Sequence, residues 1–581
     1  MNIYARLFSY VPEKKTGPYI AMSLAGLGAV LSAYSLFLVY KFLKELLIVG
    51  NLSIALDIAI RCMVCLFSGG ILYFVGVCIA HDFAFRLETN LKKKGLEGIC
   101  NASFAFFDKN DSGRVRRIID DNSSQTHTIT AHMLPDITNA FATLIILLIL
   151  GFFIKWQMGL IILALFLIAS FFTYEMMGKA DFMNQYLKSL EYMNAEAVGY
   201  VRGMQVVKTF NANVKSMSRL YELIHDYSDL AYRYTLSCRG WWCGFRVLFI
   251  AFPAAVALWG VFAVANGHDA MSVLVDVLIL SLISGSLFIS MIKCMFVGSA
   301  VTTATNCMDK LEALYDEMQE DKIEHGSLAN FENFNIEFRN VSFGYSEELI
   351  LDKFNLKLEQ GRVYALVGPS GSGKTTIANL ISGFYKVRGG SVLIGDKNIS
   401  NYSEEALNDH IATVFQNSKL FNKSIYENVL MGNPDATPKQ VMDALAKAGC
   451  MPIINALKDK ENSIVGSKGV YLSGGEIQRI AIARAILKDA DIIILDEASA
   501  STDPMCEYEI LQAFKNLIEN KTVIIIAHRL TTIKGVDEIL VTEDGQVIER
   551  GSNEELMGDD TTYRHLQKLY AQANDWQVKN D

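Results

Sequence analysis

One glycine-rich segment has the residue types and spacing of a loop that binds phosphate groups. Residues 368–376 read GPSGSGKTT, the apolar segment 363–367 precedes them, and a segment of helical character, 377–384, follows. Glycines in such a loop let backbone N–H groups close around phosphate oxygens at the start of a helix. Lys374 can then reach the β- and γ-phosphates of a nucleotide, and the Thr375 hydroxyl can coordinate Mg²⁺. The predicted phosphate-binding residues are Gly368, Ser370, Gly371, Ser372, Gly373, Lys374, Thr375 and Thr376.

Two adjacent carboxylates end a second apolar segment, more than a hundred residues further along the chain. Residues 492–497 read IIILDE, which predicts a hydrophobic strand that ends at Asp496 and Glu497. One carboxylate at such a strand end can hold Mg²⁺, and its neighbour can accept a proton from an attacking water. We therefore predict Asp496 as a magnesium ligand and Glu497 as the general base of a hydrolysis reaction.

The elements that must position these residues differ between the two halves of the chain. With 51% apolar and 20% charged residues and a mean hydropathy of +0.24, the 581 residues are too apolar for a purely soluble protein. Stretches long enough to cross a bilayer all lie in the N-terminal half. The six stretches lie near residues 18–40, 62–80, 137–154, 158–174, 247–265 and 273–297.

Lysine and arginine residues predict how these spans are oriented. Residues 81–132 contain eight of them and residues 176–246 contain nine, whereas the opposite connections 41–61, 155–157 and 266–272 contain three, one and none. By the positive-inside rule, both long loops and both termini are cytoplasmic. The net charge of −9 and the absence of a basic tail exclude nucleic acid as an expected partner.

The sequence thus predicts a chain of two domains. The first is an α-helical membrane domain, residues 1–305, with six transmembrane helices and long cytoplasmic extensions. An acidic connector, residues 306–333, leads to an α/β P-loop nucleotide-binding domain, residues 334–581.

A third motif identifies a family. Leu472-Ser473-Gly474-Gly475-Glu476, just upstream of the Asp496-Glu497 strand, resembles the signature sequence of ATP-binding cassette (ABC) proteins. The order of the whole chain, with six spans and two long cytoplasmic loops before one cassette, resembles an exporter-type (type IV) ABC half-transporter. The resemblance implies an ATPase with ATP and Mg²⁺ as cofactors. It also implies a location in the plasma (inner) membrane of a bacterium.

Further positions resemble family motifs one by one. Tyr345 is similar to the aromatic residue that stacks on adenine, and Gln416 to the glutamine that contacts Mg²⁺ and faces the membrane domain. Asp503 is similar to the dimer-loop aspartate, and His528 to the switch histidine at the γ-phosphate. The catalytic residues implied are Glu497, His528 and Gln416, and the metal ligands Thr375, Gln416 and Asp496.

The resemblance also implies a partner. In the family fold the signature lies far from its own phosphate loop, so two cassettes pair head-to-tail and each site takes residues from both chains. Some residues would therefore contact the ATP bound by a second half-transporter, in a homodimer or a heterodimer. They are Ser473, Gly474, Gly475, Glu476 and Asp503. Two loop segments, 106–117 and 201–210, resemble the elements that couple cassette to membrane domain.

Only a few residues bear on which molecule is transported and in which direction. Ser467-Lys468 stand where many exporters have Glu-Arg, and residues 483–504 resemble exporter-fold transporters that import siderophores. We therefore expect import of an iron chelate, a siderophore or haem. The alternatives are export of a lipid, drug or peptide and, in another class, an ATP-gated channel or regulatory protein. Lys293 and Arg246, in or beside spans, are the candidate substrate contacts; the alternative for Lys293 is snorkelling toward lipid headgroups.

Overall fold

The structure is a computed structural model. It describes residues 3–177, 180–209, 218–320, 323–416, 418–466, 469–496, 504–527, 533, 535–558 and 560–574. Internal contacts divide the chain into two units. The membrane unit comprises Met1–Gly98 and Ser112–Tyr315, and the cassette unit comprises Ile99–Asp111 and Asp316–Asp581.

Long helices make up the first part of the chain. Their bounds are α1 (Ile3–Ser9), α2 (Gly17–Lys44), α3 (Leu52–Asn101), α4 (Phe104–Lys109), α5 (Ser112–Thr128), α6 (Leu134–Ile154), α7 (Trp156–Met177), α8 (Ala180–Arg202), α9 (Met204–Thr209), α10 (Ser218–Ala265) and α11 (Ala270–Glu320). Within the described residues, six helical segments are long and apolar enough to cross a membrane. They contain the six predicted spans, which confirms the multi-pass prediction.

Three of these helices are much longer than a bilayer requires. Helices α3, α10 and α11 have 50, 48 and 51 residues. At about 1.5 Å per residue each exceeds the roughly 30 Å hydrocarbon core at least twofold. They therefore continue well beyond the lipid, as expected for membrane helices with long extensions. Helix α11 also runs without a break to Glu320, so the predicted connector 306–333 begins inside a helix.

Glycines bring α2 and α3 into backbone contact. A Cβ atom on Gly28 would lie 2.7 Å from the carbonyl oxygen of Gly69, and one on Gly76 would lie 2.9 Å from that of Ala21. Small residues at helix crossings permit close packing in membranes, where apolar burial between helices contributes little.

The cassette unit is an α/β structure with two sheets. Its strands are β1 (Ile336–Phe343), β2 (Leu351–Leu358), β3 (Val363–Val367), β4 (Gly389–Ile394), β5 (Lys397–Asn398), β6 (Ile411–Val414), β7 (Ile492–Asp496), β8 (Thr522–Ile526), β9 (Glu538–Glu543) and β10 (Gln546–Gly551). One sheet has the order β2-β1-β4-β5 and the other β10-β9-β3-β8-β7-β6.

Helices pack on these sheets. They are α12 (Lys374–Ile381), α13 (Glu404–His410), α14 (Ile425–Leu430), α15 (Pro438–Lys447), α16 (Met451–Ala456), α17 (Gly474–Lys488), α18 (Pro504–Leu517), α19 (Asn553–Gly558) and α20 (Thr562–Asn574). Strands β3, β6, β7, β8 and β9 run parallel to one another, and β10 pairs antiparallel with β9. Since ligands of parallel sheets bind at the carboxyl ends of the strands, this edge is where the predicted site must form.

Candidate nucleotide site

The phosphate loop joins β3 to α12 in a conformation that requires glycine. Gly371 and Gly373 have φ angles of 85° and 97°, in the left-handed region that residues with a side chain rarely adopt. At Gly368 a Cβ atom would lie 2.1 Å from the carbonyl oxygen of Thr542 on β9. The tight turn therefore depends on the glycines at the spacing that the sequence shows.

Lys374 lies folded into this loop. Its Nζ donates to the carbonyl oxygens of Gly368 at 2.9 Å and Pro369 at 2.8 Å, and only 5% of the residue is exposed. The Ser372 hydroxyl pairs with the Thr542 hydroxyl at 2.8 Å. The ammonium group of Lys374 thus lies beside backbone carbonyls at the N-terminus of α12, where it can bind the phosphates of a nucleotide.

Two of the predicted magnesium ligands lie at the ends of neighbouring strands. Asp496 ends β7 and pairs in register with Ile526 of β8, while Val414 of β6 pairs with Leu495. Gln416 follows β6 and is exposed, and the exposed Thr375 lies in the first turn of α12. Hydroxyl, amide and carboxylate oxygens are the ligands that Mg²⁺ prefers, so this set fits the cation. The other predicted residues, Glu497, Asp503 and His528, lie outside the described residues.

Tyr345 lies beside the phosphate-loop helix. Its hydroxyl accepts a hydrogen bond from Asn379 Nδ2 of α12 at 3.2 Å, and the residue is 41% exposed. Phe343 and Tyr385 meet its ring edge-on, each with centroids 5.1 Å away. An exposed ring fixed near the loop can stack on a base.

The signature residues lie at the start of a different helix. Ser473 is the N-cap of α17, Gly474 is exposed and Gly475 is buried. Buried side chains of α17 join the cluster that includes Val441 and Ile510, whereas those of α12 join the cluster that includes Phe338 and Ile394. The phosphate loop and the signature thus belong to separate hydrophobic cores within the cassette unit.

Two aromatic residues near the predicted site were missed by the sequence reasoning. Tyr471, two residues before the signature serine, is 95% exposed, and its position next to the motif was an available signal. Tyr385 bonds through its hydroxyl to Asp108 of α4. No local pattern indicates this contact, because 277 residues separate the two partners.

The candidate substrate residues have partners in the membrane unit. Lys293 Nζ of α11 bonds to Asp136 Oδ1 of α6 at 2.8 Å, and the Tyr73 hydroxyl of α3 donates to the same oxygen. Neither earlier interpretation of Lys293 included this ion pair. Arg246 of α10 is exposed, with its guanidinium carbon 5.8 Å from the centre of the Trp242 ring.

The two predicted coupling segments are described to different extents. The first segment, 106–117, begins within α4, which is therefore the candidate coupling helix. Phe104, two residues before the segment, stacks on Phe384 with centroids 3.9 Å apart and an angle of 21° between the rings. Within the second segment, α9 covers Met204–Thr209 and Phe210 lies outside the described residues.

The chain matches two known families and several known proteins. Residues 22–291 match the family described as ABC transporter transmembrane region, and residues 351–500 match the one described as ABC transporter. An ATP-dependent lipid A-core flippase of Paraburkholderia xenovorans is 31% identical, and the match covers 84% of this chain and 82% of the flippase. The Serine protease/ABC transporter B family protein tagA of Dictyostelium discoideum is 30% identical over 81% of this chain, which spans only 27% of that protein.

A solved structure has the same fold. It is described as the structure of a bacterial Atm1-family ABC exporter with ATP bound. It matches with a TM-score of 0.75 at 24% identity, covering 97% of this chain and 99% of its own. None of these three proteins is named for siderophore or iron import, so the comparisons favour the exporter alternative. The chain belongs to the ABC transporter family, as a half-transporter with an exporter-type transmembrane region and an ATP-binding domain that hydrolyses ATP.

Proposed function

We propose that the chain is one half of a dimeric exporter that uses ATP hydrolysis to move an amphipathic lipid with an anionic headgroup away from the cytoplasmic leaflet. The observation that carries the proposal is the glycine-dependent phosphate loop around Lys374, in a chain that also has six membrane-spanning helices. A lipid as the transported molecule is supported by the Paraburkholderia xenovorans relative, which is named as an ATP-dependent lipid A-core flippase. The termini and the cassette unit would face the cytoplasm.

The phosphate loop and its neighbours would divide the chemistry of hydrolysis. Backbone N–H groups of the loop and Lys374 would bind the phosphates and neutralise the charge that develops on them. Mg²⁺, when held by Thr375, Gln416 and Asp496, supplies further positive charge at the phosphate oxygens. Glu497 would accept the proton of the attacking water, and His528 would bind the γ-phosphate.

The composite arrangement requires a second half-transporter. The exposed N-terminal end of α17 can offer Gly474 and its neighbours to a phosphate across an interface, because an N-terminus carries partial positive charge. Separate cores for the signature and the phosphate loop support this division of labour between two chains. The partner is an identical or a different half-transporter; co-purification of tagged and untagged copies expressed together distinguishes the two.

The polar group at Lys293 supports an anionic cargo. The side chains of Lys293 and Asp136 are 35% and 34% exposed, in a bundle whose core is otherwise mainly apolar. A lysine there is costly unless it faces a partner, water or an anion. We infer that the anionic headgroup competes with Asp136 for Lys293 during transport.

Reconstituted vesicles test direction and cargo together. The full chain is placed in liposomes that contain nitrobenzoxadiazole-labelled phosphatidylglycerol, and dithionite bleaches the label in the outer leaflet. With cassettes outside, ATP and Mg²⁺ should increase the protected fraction, and Glu497→Gln should abolish the increase. Movement toward the cassette side would indicate import, and no ATP-dependent change would contradict lipid export.

A further inference from the structure

Tyr385 of the cassette unit contacts both the candidate adenine residue and the coupling helix α4. Its ring meets that of Tyr345 with centroids 5.1 Å apart and an angle of 85° between the planes. Its hydroxyl donates to Asp108 Oδ2 of α4. One side chain therefore joins the base end of the nucleotide site to the helix that couples to the membrane domain.

Neighbouring residues hold the rings of Tyr345 and Tyr385 in place. Phe343 of β1 lies edge-on to Tyr345 and to Tyr385, with centroids 5.1 and 5.6 Å away. Asn379 holds the hydroxyl of Tyr345 at 3.2 Å. Because three rings pack mutually edge-on, a displacement of the Tyr345 ring must displace the Tyr385 ring as well.

The hydroxyl of Tyr385 stays a donor under physiological conditions. Burial, followed by the hydrogen bond to the Asp108 carboxylate, raises the pKa of Tyr385 above its ordinary value. The bond is charge-assisted, since an ionised carboxylate accepts it, and such bonds are stronger than those between neutral groups.

Helix α4 has a second attachment beside this one. Phe104 stacks on Phe384, and Phe384 stacks in turn on Phe415 with centroids 6.0 Å apart, next to Gln416. A cavity of about 290 Å³ lies at this face and is lined by residues of α4 and of the cassette, among them Lys109 and Arg388. The aromatic stack ends next to Gln416, a predicted magnesium ligand, and the Asp108 bond ends at Tyr385, next to Tyr345.

We propose that Tyr385 is a positioning residue that couples base stacking on Tyr345 to α4. The inference rests on the proposed role of Tyr345 as the adenine contact. A base stacked on Tyr345 restricts that ring, the ring restricts Tyr385, and the hydroxyl of Tyr385 fixes Asp108. The base of the nucleotide, and not only its γ-phosphate, then contributes to ordering the coupling helix.

Amide hydrogen exchange of the full chain in nanodiscs tests this relay. Two probes are used at saturation: ATPγS, and tripolyphosphate, which has no base. Protection of residues 368–376 reports phosphate binding, and protection of residues 99–111 reports the state of α4. In the wild type, both probes should protect 368–376, and only ATPγS should protect 99–111 strongly.

Four variants separate the relay through Tyr385 from a general loss of stability. Tyr385→Phe and Asp108→Asn should keep ATPγS protection of 368–376 and lower that of 99–111 at least about threefold, as expected for one lost charge-assisted hydrogen bond. The double variant should lose no more than Tyr385→Phe alone, because Tyr385→Phe removes the bond and Asp108→Asn leaves at most a neutral one. Tyr402→Phe is the matched control: it removes a tyrosine hydroxyl bond to the Ile394 carbonyl elsewhere in the unit and should leave 99–111 as in the wild type.

Several outcomes would overturn the relay. Wild-type protection of 99–111 in Tyr385→Phe, or equal protection of that segment by tripolyphosphate and ATPγS, would show that α4 does not sense the base through this residue. An equal loss at 368–376 in Tyr385→Phe would make Tyr385 a part of nucleotide binding. If the wild type shows no protection of 368–376 with either probe, the proposed nucleotide function itself fails.

Discussion

Ser473 and Glu476 each hold the other's backbone N–H at the start of α17. Glu476 Oε2 accepts from Ser473 N at 2.7 Å, and Ser473 Oγ accepts from Glu476 N at 3.4 Å. This capping box orients the first turn of the signature helix, so the same serine that would bind the partner's nucleotide also keeps its own helix end in place.

Replacing Ser473 should separate these two roles. Ser473→Ala loses the cap, together with the hydroxyl that would contact the partner's nucleotide, and should lower the free energy of unfolding by about 1 kcal/mol. Ser473→Arg should in addition block closure on the partner's nucleotide and reduce ATPase activity by about 10²-fold or more, on the scale of a lost phosphate-stabilising group. Binding of ATP, measured at low concentration by fluorescence, should change little in either variant. If ATP binding and turnover fell together, misfolding would explain both.

Glu497→Gln tests the general base. The amide cannot take a proton from water, so hydrolysis should fall by at least about 10²-fold while ATP binding is kept. The variant should also keep ATP trapped between the two cassettes of the dimer, which is measured as nucleotide that stays bound through a desalting column. Glu554→Gln, at an exposed carboxylate of α19, is the matched control and should hydrolyse ATP normally. Normal hydrolysis by Glu497→Gln would refute the assignment.

The ion pair at Lys293 gives a prediction that distinguishes cargo binding from structural support. Lys293→Ala leaves Asp136 without this partner and should lower stability by about 1–3 kcal/mol, less than for a fully buried pair because about a third of each side chain is exposed. Lys293→Ala combined with Asp136→Ala should recover the melting temperature, and Lys293→Arg should retain most transport.

Transport of labelled phosphatidylglycerol decides between the two roles. If Lys293 binds the anionic headgroup, the double variant should remain defective in transport although it is stable, with basal ATPase activity near the wild type. Full transport by the stable double variant would assign the pair to structural support.

Burial predicts the reactivity of one cysteine. The pKa of Cys450 is raised to about 12 by burial, so the thiol carries almost no reactive thiolate near neutral pH. Iodoacetamide at pH 8 should label the exposed Cys100 and spare Cys450 until the cassette is unfolded. Peptide mass spectrometry measures both sites in one sample. Rapid labelling of Cys450 in the native protein would contradict its buried position.

Features carried by local sequence were predictable. The six spans follow from the length of apolar segments, and the loop around Lys374 follows from glycine spacing, because both depend on a few consecutive residues. The Ser473–Glu476 capping box was also readable, since serine followed three residues later by glutamate is its pattern. It was not predicted because the same residues were assigned only to the signature.

Contacts between distant segments were not predictable. Asp136 was not identified as the partner of Lys293, 157 residues away, and Tyr385 was not connected to Asp108. Such contacts depend on how each helix is rotated about its axis and on which side chains fill the space between elements. Hydropathy averaged along a span contains no information on either.

The glycine crossing of α2 and α3 has a consequence for lipids. At Gly28 and Gly69 the two backbones touch with no side chain between them, and a Cβ at either position would lie within 3 Å of the other's carbonyl oxygen. An acyl chain needs a gap about as wide as a methylene group, and this crossing has none. A lipid that moves sideways from the bilayer into the protein therefore cannot pass between α2 and α3 at this crossing.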